Sequence, residues 1–386
     1  CDFKSNIRII GMDFNFNEEQ TLIQGQVAQF IQRDYEWEKR QALVSSELGF
    51  SEENWKTFAE LGWLGISLSE ESGGFGGTEL ESMIIMEEFG KGLVVEPFLE
   101  TIILCSGLID SCGTEEQKKE LLGQIMAGDM HLALGFTEPQ SRFNVADVTT
   151  EAKLKEGNYI VNGFKSVVMN GPNADKLIIS TRTSGKQADK EGVSLFVIDA
   201  SQEGVSLRNY PTVDGRRASE VTLENVTIPS NCLLGEEGKG FHILEDAIDK
   251  ATLGICAEAV GAMEVLYKTT VEYTKTREQF GQPIGKFQVL QHRMVDMFME
   301  YEQSKSLLYM ATIKNVEGSQ DRKKAISGLK YQIGKAAKFI GQQSVQLHGG
   351  MGVTEELNVG HFFKRLTTII TIFGNTDYHL KRYSQL

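Results

Sequence analysis

The stretch YTKTREQFGQPIGKFQVLQHRMVDM, residues 273–297, decides the fold class. It holds the end of one long helix-patterned segment, the turn TREQFG, and the start of the next. Around it, three segments, Phe241–Glu278, Phe287–Val316 and Ser319–Leu347, carry heptad-like apolar stripes. One or two shorter helices close the chain after VQLHGGMGVTEELNVGHFFKR, residues 345–365. Long helices joined by short turns pack side by side, so residues 237–386 read as a four-helix bundle.

Upstream the pattern changes. HLALGF, YIVNGFKSVVM, KLIISTRT, VSLFVID and ASEVTLENVTI are short, β-branched and alternating. They follow one another without intervening helices, which predicts an antiparallel barrel or sandwich over residues 131–236, ended by Pro229. Residues 12–130 are helical by apolar spacing, with Ser51 as an N-cap and Thr114-x-x-Gln117 as a capping box. The Gly-rich SEESGGFGGTE between those helices is not a dinucleotide fingerprint, because Glu79 stands where a third glycine is required. The fold class is therefore α+β and multi-domain, in the order helices, strands, helices. Cys1–Gly11 reads as an upstream extension or expression remnant, with Met12 as the natural start.

Composition narrows the function. The 386 residues exceed the ~250–300 at which one hydrophobic core stops growing, so two or three domains are expected. A net charge of −14 with no basic stripe argues against nucleic acid. No apolar run approaches the ~20 residues that span a bilayer, and no signal peptide is visible. Five scattered cysteines and six scattered histidines give no zinc or disulfide pattern, so no metal is expected and the thiols fit a reducing cytoplasm.

The two quoted stretches closely resemble signature segments of the acyl-CoA dehydrogenase family. GFTEP (residues 135–139), VNGFKSVVMNG and RASEVTLENVTIP–LLGEEGKGF sit in the family's order and spacing. The resemblance runs from Met12 to the C-terminus and is closest to the small subunit of pimeloyl-CoA dehydrogenase-type pairs. It implies FAD as cofactor, an acyl-CoA substrate, electron transfer to an electron-transfer flavoprotein, and a homo- or hetero-tetramer. Arg277 would then give a flavin pyrophosphate a cation that cannot deprotonate, with Phe280 beside it; a surface salt bridge is the alternative. Gly349 and Gly350 let backbone approach a phosphate or ribose, although a Gly-Gly pair also makes an ordinary turn. The resemblance implies that Gln346, Gly349 and Gly350 reach the FAD of a neighbouring subunit. Phe136, Thr137 and Ser141 match positions lining the flavin. The chain departs from the family at Val167, in the place of an aromatic packed on the ring, and at Met169, in the place of a hydroxyl-bearing residue.

Desaturation of an acyl thioester needs a carboxylate that takes the α-proton. By resemblance the base stands at one of two places. One falls on Phe373, or on Gly374 with a one-residue shift; the other, two residues after Asp249, falls on Ala251, with Thr252 where an arginine is customary. None of these side chains accepts a proton. Three readings follow: a base-lacking partner in an α2β2 heteromer, an active homo-oligomer using another acid, or a structural subunit completing a partner's FAD site. Glu258 lies seven residues past Ala251 on roughly the same helix face and is the candidate acid, with a paired interior carboxylate as its alternative. Ala251 and Gly254 suggest an open substrate wall or close helix packing.

Overall fold

The computed structural model describes residues 16–386, so the readings of Cys1–Gly11 and Met12 lie outside the described residues. Helices α1 (Glu18–Asp34), α2 (Trp37–Ser45), α3 (Glu52–Glu60), α4 (Glu79–Gly92), α5 (Gly107–Cys112) and α6 (Glu115–Met126) form the N-terminal part. The expected caps are present. Ser51 Oγ accepts from the Asn54 amide at 3.1 Å, and Thr114 and Gln117 close a reciprocal capping box. A π-helical turn, Leu99–Ser106, leads into α5 where the apolar spacing predicts plain helix.

The eight strands of the middle region, among the described residues, form one sheet. They are β1 (Leu132–Gly135), β2 (Glu151–Lys155), β3 (Asn158–Met169), β4 (Lys176–Arg182), β5 (Val193–Asp199), β6 (Val205–Pro211), β7 (Arg217–Pro229) and β8 (Leu233–Leu234). The order is β6-β7-β3-β2-β4-β5-β8, with β1 beside β4. The sheet is mixed rather than purely antiparallel, because β1 and β2 both pair in parallel with β4. Strands β2 and β6 escape sequence reading because they bury little: only Ala152 of β2 is buried, and β6 has no buried residue.

The bundle consists of α7 (Gly240–Thr276), α8 (Gln288–Val316), α9 (Arg322–His348), α10 (Val359–Ile369) and α11 (Thr376–Gln385), and a two-stranded hairpin, β9 (Glu278–Gln279) with β10 (Gln282–Pro283), links α7 to α8. One apolar core runs continuously from the N-terminal helices into this bundle, and a second lies within the sheet. The tightest seam is between α4 and α7. A Cβ on Gly90 would sit 2.0 Å from the Glu258 carbonyl oxygen, and one on Gly261 would sit 1.8 Å from that of Glu87. Glycine there lets two backbones touch. Gly254 serves the same end, since its Cβ would meet Ile103 Cδ1 at 2.9 Å, so its small size supports packing rather than an open wall.

Candidate active site

The loop after β1 is built around Glu138. Its Oε1 accepts from Lys165 Nζ at 2.7 Å and from the Thr150 amide at 3.1 Å, and its Oε2 from the Thr149 amide and Gln140 Nε2, both at 2.8 Å. Burial would raise the carboxyl, but the Lys165 charge and these donors bring it down to about 2. Burial pushes the Lys165 ammonium down to about 8 despite its carboxylate partner. The Ser141 hydroxyl is turned inward, donating to the Glu138 carbonyl at 2.9 Å and accepting from the Glu138 amide at 3.1 Å. Thr137 is tied to β3 through its carbonyl, which accepts from the Ser166 amide at 2.9 Å. This loop is thus a rigid shelf, and Phe136 projects from it onto Phe373 with ring centroids 6.4 Å apart and planes 28° from parallel.

Phe373 belongs to the turn between α10 and α11, with φ +57° followed by +118° at Gly374. Two buried nitrogen side chains hold that turn. Lys330 Nζ donates to the carbonyls of Ile369 at 2.8 Å and Gly374 at 3.0 Å, capping the C-terminal end of α10 with a cation. His379 Nε2 lies 3.0 Å from the Phe373 carbonyl oxygen. Beside the turn is a cavity of about 780 Å³ lined by Ser141, Phe143, Ile248, Asp249, Thr252 and Phe373, among others. Ala251 is fully buried and Thr252 donates its hydroxyl back to the Ile248 carbonyl at 2.7 Å.

Glu258 points elsewhere. Arg365 grips it with Nε to Oε1 and Nη2 to Oε2, both at 2.6 Å, and Arg216 Nη2 reaches Oε1 at 3.0 Å. Arg365 also donates to Asp214 at 2.7 Å and Arg216 to the Val94 carbonyl at 2.9 Å. Burial would raise the Glu258 carboxyl, but the two guanidinium groups hold it below the usual carboxylate range. The cluster joins the turn before β7, α7, α10 and the segment after α4.

The remaining residues form a separate group. Arg277 caps α7, and its guanidinium has no hydrogen-bond or ion-pair partner among the described residues. Phe280, at φ +56°, is 91% exposed and meets Phe287 edge-on. Gln346, Gly349 and Gly350 are exposed at the end of α9, and a Cβ on either glycine would meet nothing within 4 Å. Tyr273 stacks on His348 at 4.2 Å, so the ends of α7 and α9 share this patch. It is remote from the cavity. Ala251 and Arg277 are 26 helical steps apart on α7, about 40 Å at 1.5 Å per residue.

The open, cationic patch fits the phosphate and sugar end of FAD. Beside the Thr137 loop, β3 fits the ring less well: Val167 is a bare 44% exposed aliphatic, and Met169 offers no hydroxyl. Sequence reasoning missed Lys165, Lys330, Asp214, Arg216 and Arg365. For Lys165, Lys330 and Arg365 the signal was a charged residue inside an alternating strand or an apolar helical stripe, which is expensive to bury without a partner; Asp214 and Arg216 sit in the turn before β7, where charge carries no such signal. Among the described residues no group of His, Cys, Asp and Glu is arranged to hold a metal, and no helix is long and apolar enough to cross a membrane.

The acyl-CoA dehydrogenase N-terminal, middle and C-terminal domains match residues 17–129, 133–226 and 238–385. A short-chain specific acyl-CoA dehydrogenase of Clostridium acetobutylicum is 33% identical over 356 residues, 90% of this chain and 92% of its own. The FAD complex of PigA superposes with a TM-score of 0.90 at 28% identity, covering 97% of this chain and 98% of that one. A structure from work on the electron transferring flavoprotein of Acidaminococcus fermentans superposes with a TM-score of 0.88 at 29% identity, covering 97% and 99%. Three consecutive domain matches and this relative establish that the chain belongs to the acyl-CoA dehydrogenase family of FAD-linked oxidoreductases.

Proposed function

We propose that this chain is the base-lacking subunit of an FAD-dependent acyl-CoA dehydrogenase that desaturates an acyl-CoA thioester at Cα–Cβ. The observation that carries this reading is the pair of occupied base positions. Phe373 lines the cavity, Ala251 is buried in α7, and the candidate acid Glu258 is engaged by two arginines, while the carboxylates that do line the cavity, Asp249 and Glu245, are paired with Arg382 and Lys323. A carboxylate held below its usual range by two guanidinium groups is a poor general base, because abstracting a proton would require breaking those contacts. That observation weighs against a homo-oligomer relying on Glu258.

When bound, FAD supplies the oxidant that accepts the β-hydride. This chain's contribution is binding: Arg277 neutralises phosphate charge, Gly349 and Gly350 allow close backbone approach, and the Glu138-braced loop carries Phe136. The ~40 Å between patch and cavity favours a flavin site shared by two subunits. Val289, Val295, Phe298 and Met299 give α8 an exposed apolar face suited to such an assembly. In this reading a larger subunit supplies the glutamate in an α2β2 tetramer in the cytoplasm, with an electron-transfer flavoprotein as acceptor. The likeness to the Acidaminococcus structure supports that acceptor. The exposed Val167 favours a second reading, in which the chain only completes its partner's FAD site.

The test is the 300–600 nm spectrum of the chain alone, recorded anaerobically before and after acyl-CoA. A colourless protein, or a flavin band that does not bleach near 450 nm, is expected. Bleaching in the chain alone would overturn the base-lacking reading.

A further inference from the structure

A second cavity, of about 680 Å³, lies where the start of α3, the turn after α6 and the turn before β4 meet, and it shares no lining residue with the cavity at Phe373. Its walls are pinned to one another. His131 donates its amide to Asp175 Oδ2 at 2.8 Å and accepts from the Asp175 amide at 2.9 Å, and Asn173 Nδ2 donates to the Leu48 carbonyl at 3.0 Å. The volume falls within the roughly 300–1,000 Å³ of small-molecule pockets.

Three rings make up one wall. Phe50 and Trp55 both pack on His131, with centroids 5.1 and 4.9 Å away. Two buried polar atoms of that wall have no hydrogen-bond partner among the described residues, the Trp55 indole Nε1 and His131 Nδ1. Trp55 is 1% exposed, and its Cδ1, next to Nε1, lies 3.4 Å from where a Cβ on Gly128 would sit. Gly128 also lines the cavity, so the polar edge of the indole is turned toward it. Burial pushes the imidazolium down to about 4, so His131 is neutral at pH 7 and offers one N–H and one lone pair. A single hydroxyl can accept from an indole N–H and donate to an imidazole lone pair. Buried polar groups are nearly always paired, so two unmet ones at a cavity wall mark a place for a polar ligand.

Charge selects the rest of that ligand. Glu52, Glu53, Asp129 and Asp175 line the cavity against one ammonium among the described residues, Lys56, which is tied to Asp129 and to the Ala127 carbonyl. Glu52 and Glu53 lie exposed in the first turn of α3 with no ion-pair partner among the described residues. Among those residues no acids are grouped to hold a metal ion, so the spread carboxylates suit a larger cation. Aromatic rings beside carboxylates recognise an organic ammonium.

We propose that this cavity binds a hydroxyl-bearing organic ammonium, with its charge set against Glu52, Glu53 and Asp175 and its hydroxyl between the Trp55 indole N–H and His131 Nδ1. The site is independent of the base-lacking reading.

Choline is the probe. The full chain, loaded with FAD, is titrated calorimetrically at about 0.15 M salt, which screens exposed charges. Choline is compared with its uncharged isostere 3,3-dimethylbutan-1-ol and with tetramethylammonium, which lacks the hydroxyl. Choline is expected to bind, the isostere about tenfold more weakly, and tetramethylammonium about fivefold more weakly. The double variant Glu52→Gln/Glu53→Gln, altered only at exposed positions, should fold and should weaken choline about tenfold. Trp55→Phe keeps a ring, removes the N–H and should erase the preference for choline over tetramethylammonium. Should Trp55→Phe fail to fold, the glutamate variant and the three ligands carry the test. Absence of choline binding to the wild type overturns the proposal, as does equal binding of choline and its isostere. Choline binding that the glutamate variant leaves unchanged also overturns it, since the cation then sits elsewhere on this acidic chain.

Discussion

Arg365 of α10 and Glu258 of α7 are joined by two parallel hydrogen bonds of 2.6 Å inside the protein, where both side chains are almost fully buried. Breaking such a pair leaves an uncompensated buried charge. Glu258→Gln should therefore cost about 3 kcal/mol in denaturant unfolding, with Arg365 and Arg216 both left underneutralised. If the chain's role is binding, activity of the assembled enzyme at a temperature where the variant is folded should stay within about twofold, whereas loss of a general base costs roughly 10²–10⁴. A loss of the larger size with unchanged stability would make Glu258 a participant in the chemistry.

Glu138 is one of the carboxylates that contribute to acid stability. Its carboxyl is held at about 2 in the folded protein, below the ordinary value of 4.5. A depressed carboxyl contributes stability that is present above its unfolded value and lost as pH falls through the folded one. Unfolding free energy should thus decline between pH 5 and about 2, and Glu138→Gln should flatten that decline. An unchanged acid limb in the variant would show that the loop is braced by other contacts.

Lys330 is a buried ammonium whose hydrogen-bonded partners are carbonyls of the 369–374 turn. Lys330→Met strands those acceptors and should destabilise by about 2 kcal/mol. Burial lowers the ammonium to about 8, so the unfolded chain binds more protons between that value and the ordinary 10.5. Wild-type stability should accordingly rise as pH climbs from 8 toward 10, and the variant should rise less.

Phe373→Glu places a carboxylate where the cavity has an aromatic ring. Exchange of the acyl α-proton for deuterium, followed by NMR, should become measurable in the variant and stay at background in the wild type. General-base catalysis of this kind is worth about 10²–10⁴-fold. No gain in a folded, thioester-binding variant would mean that residue 373 does not face the reacting carbon.

Arg277→Met removes a guanidinium with no partner among the described residues, so thermal stability should be unchanged. The assembled enzyme should lose FAD affinity by about tenfold or more, read by flavin release on gel filtration. Retained flavin would show that Arg277 takes no part in flavin binding.

The apolar periodicities of Phe241–Leu347 and the alternating strands from His131 are local properties of the chain, and they were sufficient for the order helices, strands, helices. Caps at Ser51 and Thr114 were legible for the same reason, since each involves residues three apart. The family signatures, Arg277 and Gly349-Gly350 among them, and the absence of acids at Ala251 and Phe373 were likewise readable from residue identity alone. The parallel pairing of β1 with β4 was not, because it joins residues 44 positions apart, Leu132 with Lys176, and strand direction leaves no mark on side-chain alternation. The buried charges belong to the same class. Glu258 could be a base or a paired interior acid until folding brought Arg365 from 107 residues away, and Arg382 meets Asp249 across 133. Sequence lists which groups are charged. Only the tertiary structure decides which charges neutralise one another, because burial removes the water that would otherwise solvate each one separately.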